Sequence, residues 1–281
     1  MSDPTLDPRV TPMRPDLAAA HLRGKVAAPR YAEGRTLSVV VASAPLRRAP
    51  SHEAPLETEA LFGEAVVVYE AQEGWAWAQL SRDGYVGYLP QSALGAAPAP
   101  THRVGALRTH AYPGASVKLP PRLALSMGAQ VCVAAPHGEF AKTPDGLHVF
   151  GAHLAPLDAF EDDFVAVAER FLETPYLWGG RTSEGIDCSG LVQGALAACG
   201  VDAPRDSDMM EKALGAPLAA DPALRRGDLI FWKGHVGVMR DAATLLHANG
   251  FHMKVASEPL RQARERIAEK SYGAVTSIRR L

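Results

Sequence analysis

Residues 175–190 read PYLWGGRTSEGIDCSG, and this stretch decides how the C-terminal part of the chain folds. Pro175 breaks the helical pattern before it, and glycines 179, 180, 185 and 190 mark turns and let the backbone come close to a bound molecule. Beyond it, Leu191, Val192, Ala195, Leu196 and Cys199 recur at helical spacing, and Gly200 supplies the stop. Cys188 is thereby placed at a helix N-terminus. Unpaired N–H groups and a partial positive charge at that end favour a thiolate and can hold an oxyanion.

Upstream, Phe160, Phe164, Ala168, Phe171 and Leu172 share helical spacing, so a new domain starts near Phe160. Downstream of Arg226, DLIFW, HVGVM and TLLHAN read as three strands of an antiparallel sheet. Helices precede strands, which is an α+β order. From Leu37 to about Leu94, runs rich in Val, Tyr and Trp (SVVVA, AVVVY, WAWAQL, GYVGYL) alternate with turn signals and predict a small β-barrel. VGALRTHAYP, AQVCVAAP and GLHVFGAHL repeat this rhythm between His102 and Leu157. At an offset of 65 residues, Ser51, Pro55, Gly63, Val66 and Val68 correspond to Ser116, Pro120, Gly128, Val131 and Val133, so a second barrel is expected. The expected division is an N-terminal arm (1–35) with a short helix over Asp16 to Arg23, barrels over 36–98 and 99–158, and a final domain over 159–281.

The 281 residues are 47% hydrophobic and 21% charged, the composition of an ordinary globular protein. Twenty-nine basic against thirty-one acidic residues leave a net charge of −2, so no basic field exists to attract nucleic acid or an anionic membrane. No apolar run reaches the roughly 18 to 20 residues that span a bilayer, and the start lacks the pattern of a secretory signal. Three cysteines are too few for a disulfide framework and fit a reducing compartment, so a cytoplasmic protein is expected. Cys132 and Cys199 read as small buried residues.

A nucleophilic cysteine needs a base. The candidate is His235, after the Lys233–Gly234 turn, with His247 on the next strand to orient it and His252 an alternative for either role. If Met239 pairs with Ala243 around a three-residue loop, His235 faces His247 directly; a two-residue loop puts the two on opposite faces.

PYLWGG, GIDCSG, GDLIFW with HVGV, and LLHANG, in this order from Phe160 to about Arg280, resemble the NlpC-type cysteine peptidases of bacterial cell-wall metabolism. The resemblance implies a reduced papain-like fold in which Cys188 is nucleophile, His235 base and His247 the orienting residue. It also implies Tyr176 in the active site, Asp187 and Ser189 flanking the nucleophile, and no cofactor or metal. Both β-rich segments resemble bacterial SH3-like modules. A narrower similarity is to the subgroup that cleaves the bond between γ-D-glutamate and a diamino acid in murein peptides. There PRDSDMM implies Asp206 as partner of the substrate's free amino terminus, with Arg205 and Ser207 beside it. FGE and GYVGY imply Glu64 and Tyr85 as the first barrel's share of the pocket, although the short SRDG connection leaves Tyr88 as an alternative to Tyr85.

Three rivals are weighed against this. A zinc site using Cys188, His235, His247 and Cys199 is opposed by helix geometry, since Cys188 and Cys199 would lie about 16 Å apart. A wall-binding module with a silent catalytic domain is opposed by the intact cysteine and histidines. Acyl transfer on the same site is left open, because an acyl-enzyme can be captured by an amine as well as by water. For a peptidase, the expected substrate is a small murein peptide with a free L-alanine, met during recycling. The oxyanion would meet the Cys188 N–H, with Tyr176 as second donor.

Overall fold

The alternating burial of Ala65–Gln72, Trp75–Leu80 and Val86–Pro90 places Val66, Val68, Ala76, Ala78 and Leu89 on one inner face. In the computed structural model, which describes residues 6–219 and 222–281, these strands belong to a seven-stranded sheet. The chain forms two compact units, Met1–Leu157 and Asp158–Leu281. No helix among the described residues is long and apolar enough to cross a membrane.

The first unit begins differently from expectation. Leu17–Ala19 is a strand and Ala20–Leu22 a short 3-10 turn, where a helix over Asp16 to Arg23 was anticipated. This short apolar run gains ladder bonds from Met13–Arg14 on one side and Arg30–Ala32 on the other. Ala18, Ala19, Leu22 and Val26 then bury against Tyr69, so the arm is a packed element.

The offset of 65 residues recurs in the backbone. Ser43–Arg47 pairs with Leu56–Leu61 and Arg108–Tyr112 with Leu123–Ser126, in registers that superimpose when 65 is added to each number: Ser43 faces Leu61, and Arg108 faces Ser126. Gly63 donates to the Val39 carbonyl and Phe62 to that of Ala42, while Gly128 donates to Val104 and Met127 to Leu107. Gly63 and Gly128 share a positive φ, 78° and 88°, as turns of this shape require. Around 102–156 the strands form one five-stranded and one three-stranded sheet over a core of Val104, Ala111, Leu125, Val131 and Val149.

In the second unit, helix α1 is Phe164–Glu169, shorter than the expected pattern from Phe160 to Leu172. Asp163 caps it by accepting from Val165 N and Ala166 N at 2.9 and 3.2 Å, which fixes the start. Helix α2 is Cys188–Ala198, followed by Gly200 at φ 76°. Helix α3 is Ser207–Ala213 and α4 is Leu260–Lys270. The antiparallel sheet runs in the order Ala216–Pro217, Ser277–Arg280, Leu229–Trp232, His235–Met239, Thr244–Asn249, Lys254–Pro259. Its central strands are buried throughout, and α2 packs against His235–Met239 and Thr244–Asn249. The cysteine helix thus precedes a sheet that carries both histidines.

Candidate active site

Cys188 is the first residue of α2, and Asp187 is its cap, accepting from Gly190 N at 2.7 Å. A Cβ on Gly190 would stand 2.4 Å from the Gly180 carbonyl, so only glycine lets the 175–190 segment fold back onto the helix start. Arg205 holds that arrangement. It is 1% exposed and donates to both Asp187 oxygens, at 2.6 and 3.0 Å, and to Ser189 Oγ at 2.7 Å. Breaking such a buried pair by removing one partner costs about 3 to 5 kcal/mol. Arg205, Asp187 and Ser189 thus bond to one another next to Cys188, where the resemblance implied Asp187 and Ser189 flanking the nucleophile and Arg205 beside Asp206.

Burial pushes the Cys188 thiol up to about 12, and Asp187 adds to this, against the Val236 and Ser189 N–H groups and Arg205. Desolvation thus opposes the thiolate that the helix end was expected to favour. Burial, then His247, likewise lowers His235 well below its ordinary value. Burial thus favours the neutral form of both side chains.

His235 Nε2 lies 2.8 Å from His247 Nδ1. The register differs from both expected alternatives: Val238 faces Leu246 and Met239 faces Leu245. Arg240 N donates to Thr244 O, so the three-residue loop closes one position later. His235 is consequently diagonal to His247, two residues from the opposed position, with its side chain on the same face. Gly237 takes the opposed place. A Cβ there would lie 3.2 Å from His247 Cβ and 2.8 Å from a Leu245 methyl. Gly237→Ala should therefore shift His247, lower kcat by roughly tenfold or more and destabilise by about 1 to 3 kcal/mol. Unchanged kcat and melting temperature would show that His247 has room to move.

Further contacts were not foreseen. Tyr272 stacks on His235, with ring centroids 5.2 Å apart and planes 7° from parallel. Glu258 Oε1 is 2.8 Å from His247 Nε2, and Arg266 on α4 donates to both Glu258 oxygens at 2.5 and 2.6 Å. The sign that could have found Glu258 is a carboxylate in the strand KVASEP on the face shared with His247. His252 bonds to Asn249 Oδ1 at 3.1 Å and is not in the bond to His235. Among the described residues, His247, His252 and Glu258 have metal-binding atoms within 4.8 Å of one another, but Arg266 already holds both Glu258 oxygens.

Tyr176 is half-buried, and burial followed by Cys188 raises its phenol. Asp206 is the N-cap residue of α3, yet its side chain makes no capping bond; Ser207 behind it is buried. In the first unit, Glu64 accepts from Leu61 N at 2.9 Å and from Arg82 at 3.3 Å, and Tyr85 packs into the core with Leu46 and Leu80. Tyr88 receives a bond from Arg14 at 3.3 Å. Glu64 and Tyr85, read as pocket residues, thus have bonding and packing roles within their own unit.

Residues 46–94 match the model of the bacterial dipeptidyl-peptidase Sh3 domain, and residues 173–274 match that of the NlpC/P60 family. The chain is 35% identical over 102 residues to dipeptidyl-peptidase 6 of Lysinibacillus sphaericus, covering 36% of this chain and about a third, 35%, of that relative. It is 26% identical over 239 residues to a γ-D-glutamyl-L-lysine dipeptidyl-peptidase of Bacillus cereus, covering 73% and 71% of the two chains. The crystal structure of an NlpC/P60 family protein from Bacillus cereus aligns with a TM-score of 0.73 at 20% identity, over 88% of this chain and 99% of that one, which supports the fold.

Proposed function

We propose that the chain is a cysteine peptidase cleaving the γ-D-glutamyl-diamino acid bond of murein peptides, a reading supported by the match of residues 173–274 to the NlpC/P60 family model. The observation that carries this reading is the 2.8 Å bond between His235 and His247 on strands against which the Cys188 helix packs. Cys188 attacks the γ-carbonyl as its proton moves to His235, which then protonates the departing amine; water hydrolyses the thioester with His235 as base. The Cys188 N–H and Tyr176 stabilise the oxyanion.

The reading extends to the whole chain. It takes residues 36–98 and 99–158 as two SH3-like barrels behind an arm over 1–35, and 159–281 as a papain-like domain; the backbone bonds repeated at an offset of 65 support the second barrel. Asp206 supplies a carboxylate for the substrate's L-alanine ammonium. The substrate is then a released peptide, and the proposed role is murein peptide recycling in the cytoplasm.

The test is hydrolysis of L-Ala-γ-D-Glu-meso-diaminopimelate in free and N-acetylated forms, with products identified by mass. A charge-assisted bond to an ammonium is worth about 1.5 to 3 kcal/mol, so acetylation and Asp206→Asn should each lower kcat/KM by roughly tenfold to over a hundredfold. Equal cleavage of both peptides, or equal digestion of intact wall, would replace recycling with wall remodelling.

A further inference from the structure

The side chains on His247's far side extend the hydrogen-bonded chain beyond a cysteine and two histidines. Glu258 lies on Lys254–Pro259, where it faces Leu245 while His247 faces Ala256. It reaches His247 by the same two-residue diagonal that joins His247 to His235. Its carboxylate is 9% exposed, and Arg266, 15% exposed at its side chain, grips both oxygens from α4.

We propose that Glu258, clamped by Arg266, is a positioning residue that fixes which ring nitrogens of His247 and His235 carry protons. This rests on the reading of His235 as base to Cys188. A carboxylate with a guanidinium on both oxygens can only accept, so His247 Nε2 must carry the proton at their 2.8 Å contact. A neutral imidazole then has its lone pair on Nδ1. His247 Nδ1 in turn accepts from His235 Nε2, at 2.8 Å, and leaves the His235 lone pair on Nδ1. Burial lowers His247, against Glu258, which keeps the ring neutral; burial alone would raise Glu258, but Arg266 and His247 hold it down at about 2. A protonated His247 would donate from both nitrogens and force the opposite tautomer on His235. Also facing this chain are His252, whose Nδ1 is 3.8 Å from Glu258, and the Trp232 and Tyr272 rings against His235.

The arrangement is open to direct measurement in the unaltered chain labelled with ¹⁵N-histidine. Long-range proton–nitrogen correlation should show protonated Nε2 and bare Nδ1 on both His235 and His247. Glu258→Gln offers one carbonyl oxygen to both the Arg266 and His247 donors, and should disturb this pattern. It should lower kcat by about ten- to a hundredfold with KM within about twofold, because Glu258 does not touch substrate. Arg266→Lys, which keeps a cation beside the carboxylate, should retain more kcat than Arg266→Gln. A His235 proton on Nδ1 in the unaltered chain overturns the proposal. So does Glu258→Gln with a lowered melting temperature but unchanged kcat and tautomers, since Glu258 would then serve only to anchor α4. Turnover that survives Cys188→Ala defeats instead the peptidase reading, and the histidine spectrum still decides whether Glu258 sets the tautomers.

Discussion

Cys188→Ala is expected to abolish hydrolysis of the tripeptide, by a factor on the order of 10⁶, the loss met when a nucleophile acting as part of a unit is removed. No other group at the end of α2 can form the thioester. The fold should persist, because the change removes one sulfur atom and leaves the Asp187 cap, the Arg205 pair and the Gly190 contact in place. Equal melting temperatures and a rate at the uncatalysed background are the paired expectations. A variant that keeps near wild-type turnover would mean that the carbonyl is attacked by water and that the helix end only binds.

His235→Ala should be nearly as damaging, because the buried thiol, held up at about 12, cannot shed its proton to solvent at neutral pH. A loss of roughly 10⁴-fold or more in kcat is expected. His247 is different in kind. His247→Asn or His247→Gln should keep measurable turnover, because an amide oxygen can still accept from His235 Nε2. The same variants cannot serve the donor role toward Glu258 equally well, so their residual rates should stay below wild type. Equal and complete loss in all three variants would show that His247 does more than orient.

Much of the catalytic unit was legible because its signals are local. The helix period and the Gly200 stop lie within one short segment, and the end of α2 follows from them. The parity that puts His235 and His247 on one face was legible too, but the register was not. A three-residue loop closing at Met239 or one position later satisfies the same pattern of apolar residues, and the structure adopts the later one. Glu258, Arg266 and Tyr272 were hidden for a related reason. Their approach to His247 and His235 depends on how the last strand and α4 return to the sheet, which no short window records. At Cys188 the local signal pointed the wrong way about charge, because the helix end is legible in sequence and the depth of burial is not.

The N-terminal unit teaches the converse. Only five identities marked the repeat, yet the bonds of Gly63 and Gly128, and of Phe62 and Met127, recur in register. These are main-chain bonds, so nearly any side chain can change above them. The glycines are held by their positive φ, whereas Ala129 occupies the place of Glu64 without disturbing the turn. Short strands and a leading apolar triplet, by contrast, carried too little period to distinguish Leu17–Ala19 from a helix.

On the proposed reading, the burial that raises the Cys188 thiol also bears on how such an enzyme is silenced. Peroxides and simple electrophiles react with thiolates, and a thiol shielded in this way offers them little to attack. A reagent that lacks the features of the substrate would consume the more accessible Cys132 and Cys199 first. Covalent inhibition therefore has to begin with recognition: a compound must occupy the substrate's place and draw the proton onto His235 before its warhead meets a nucleophile. Selectivity would then reside in the recognition element of the inhibitor, and a mildly reactive warhead would serve better than an aggressive one.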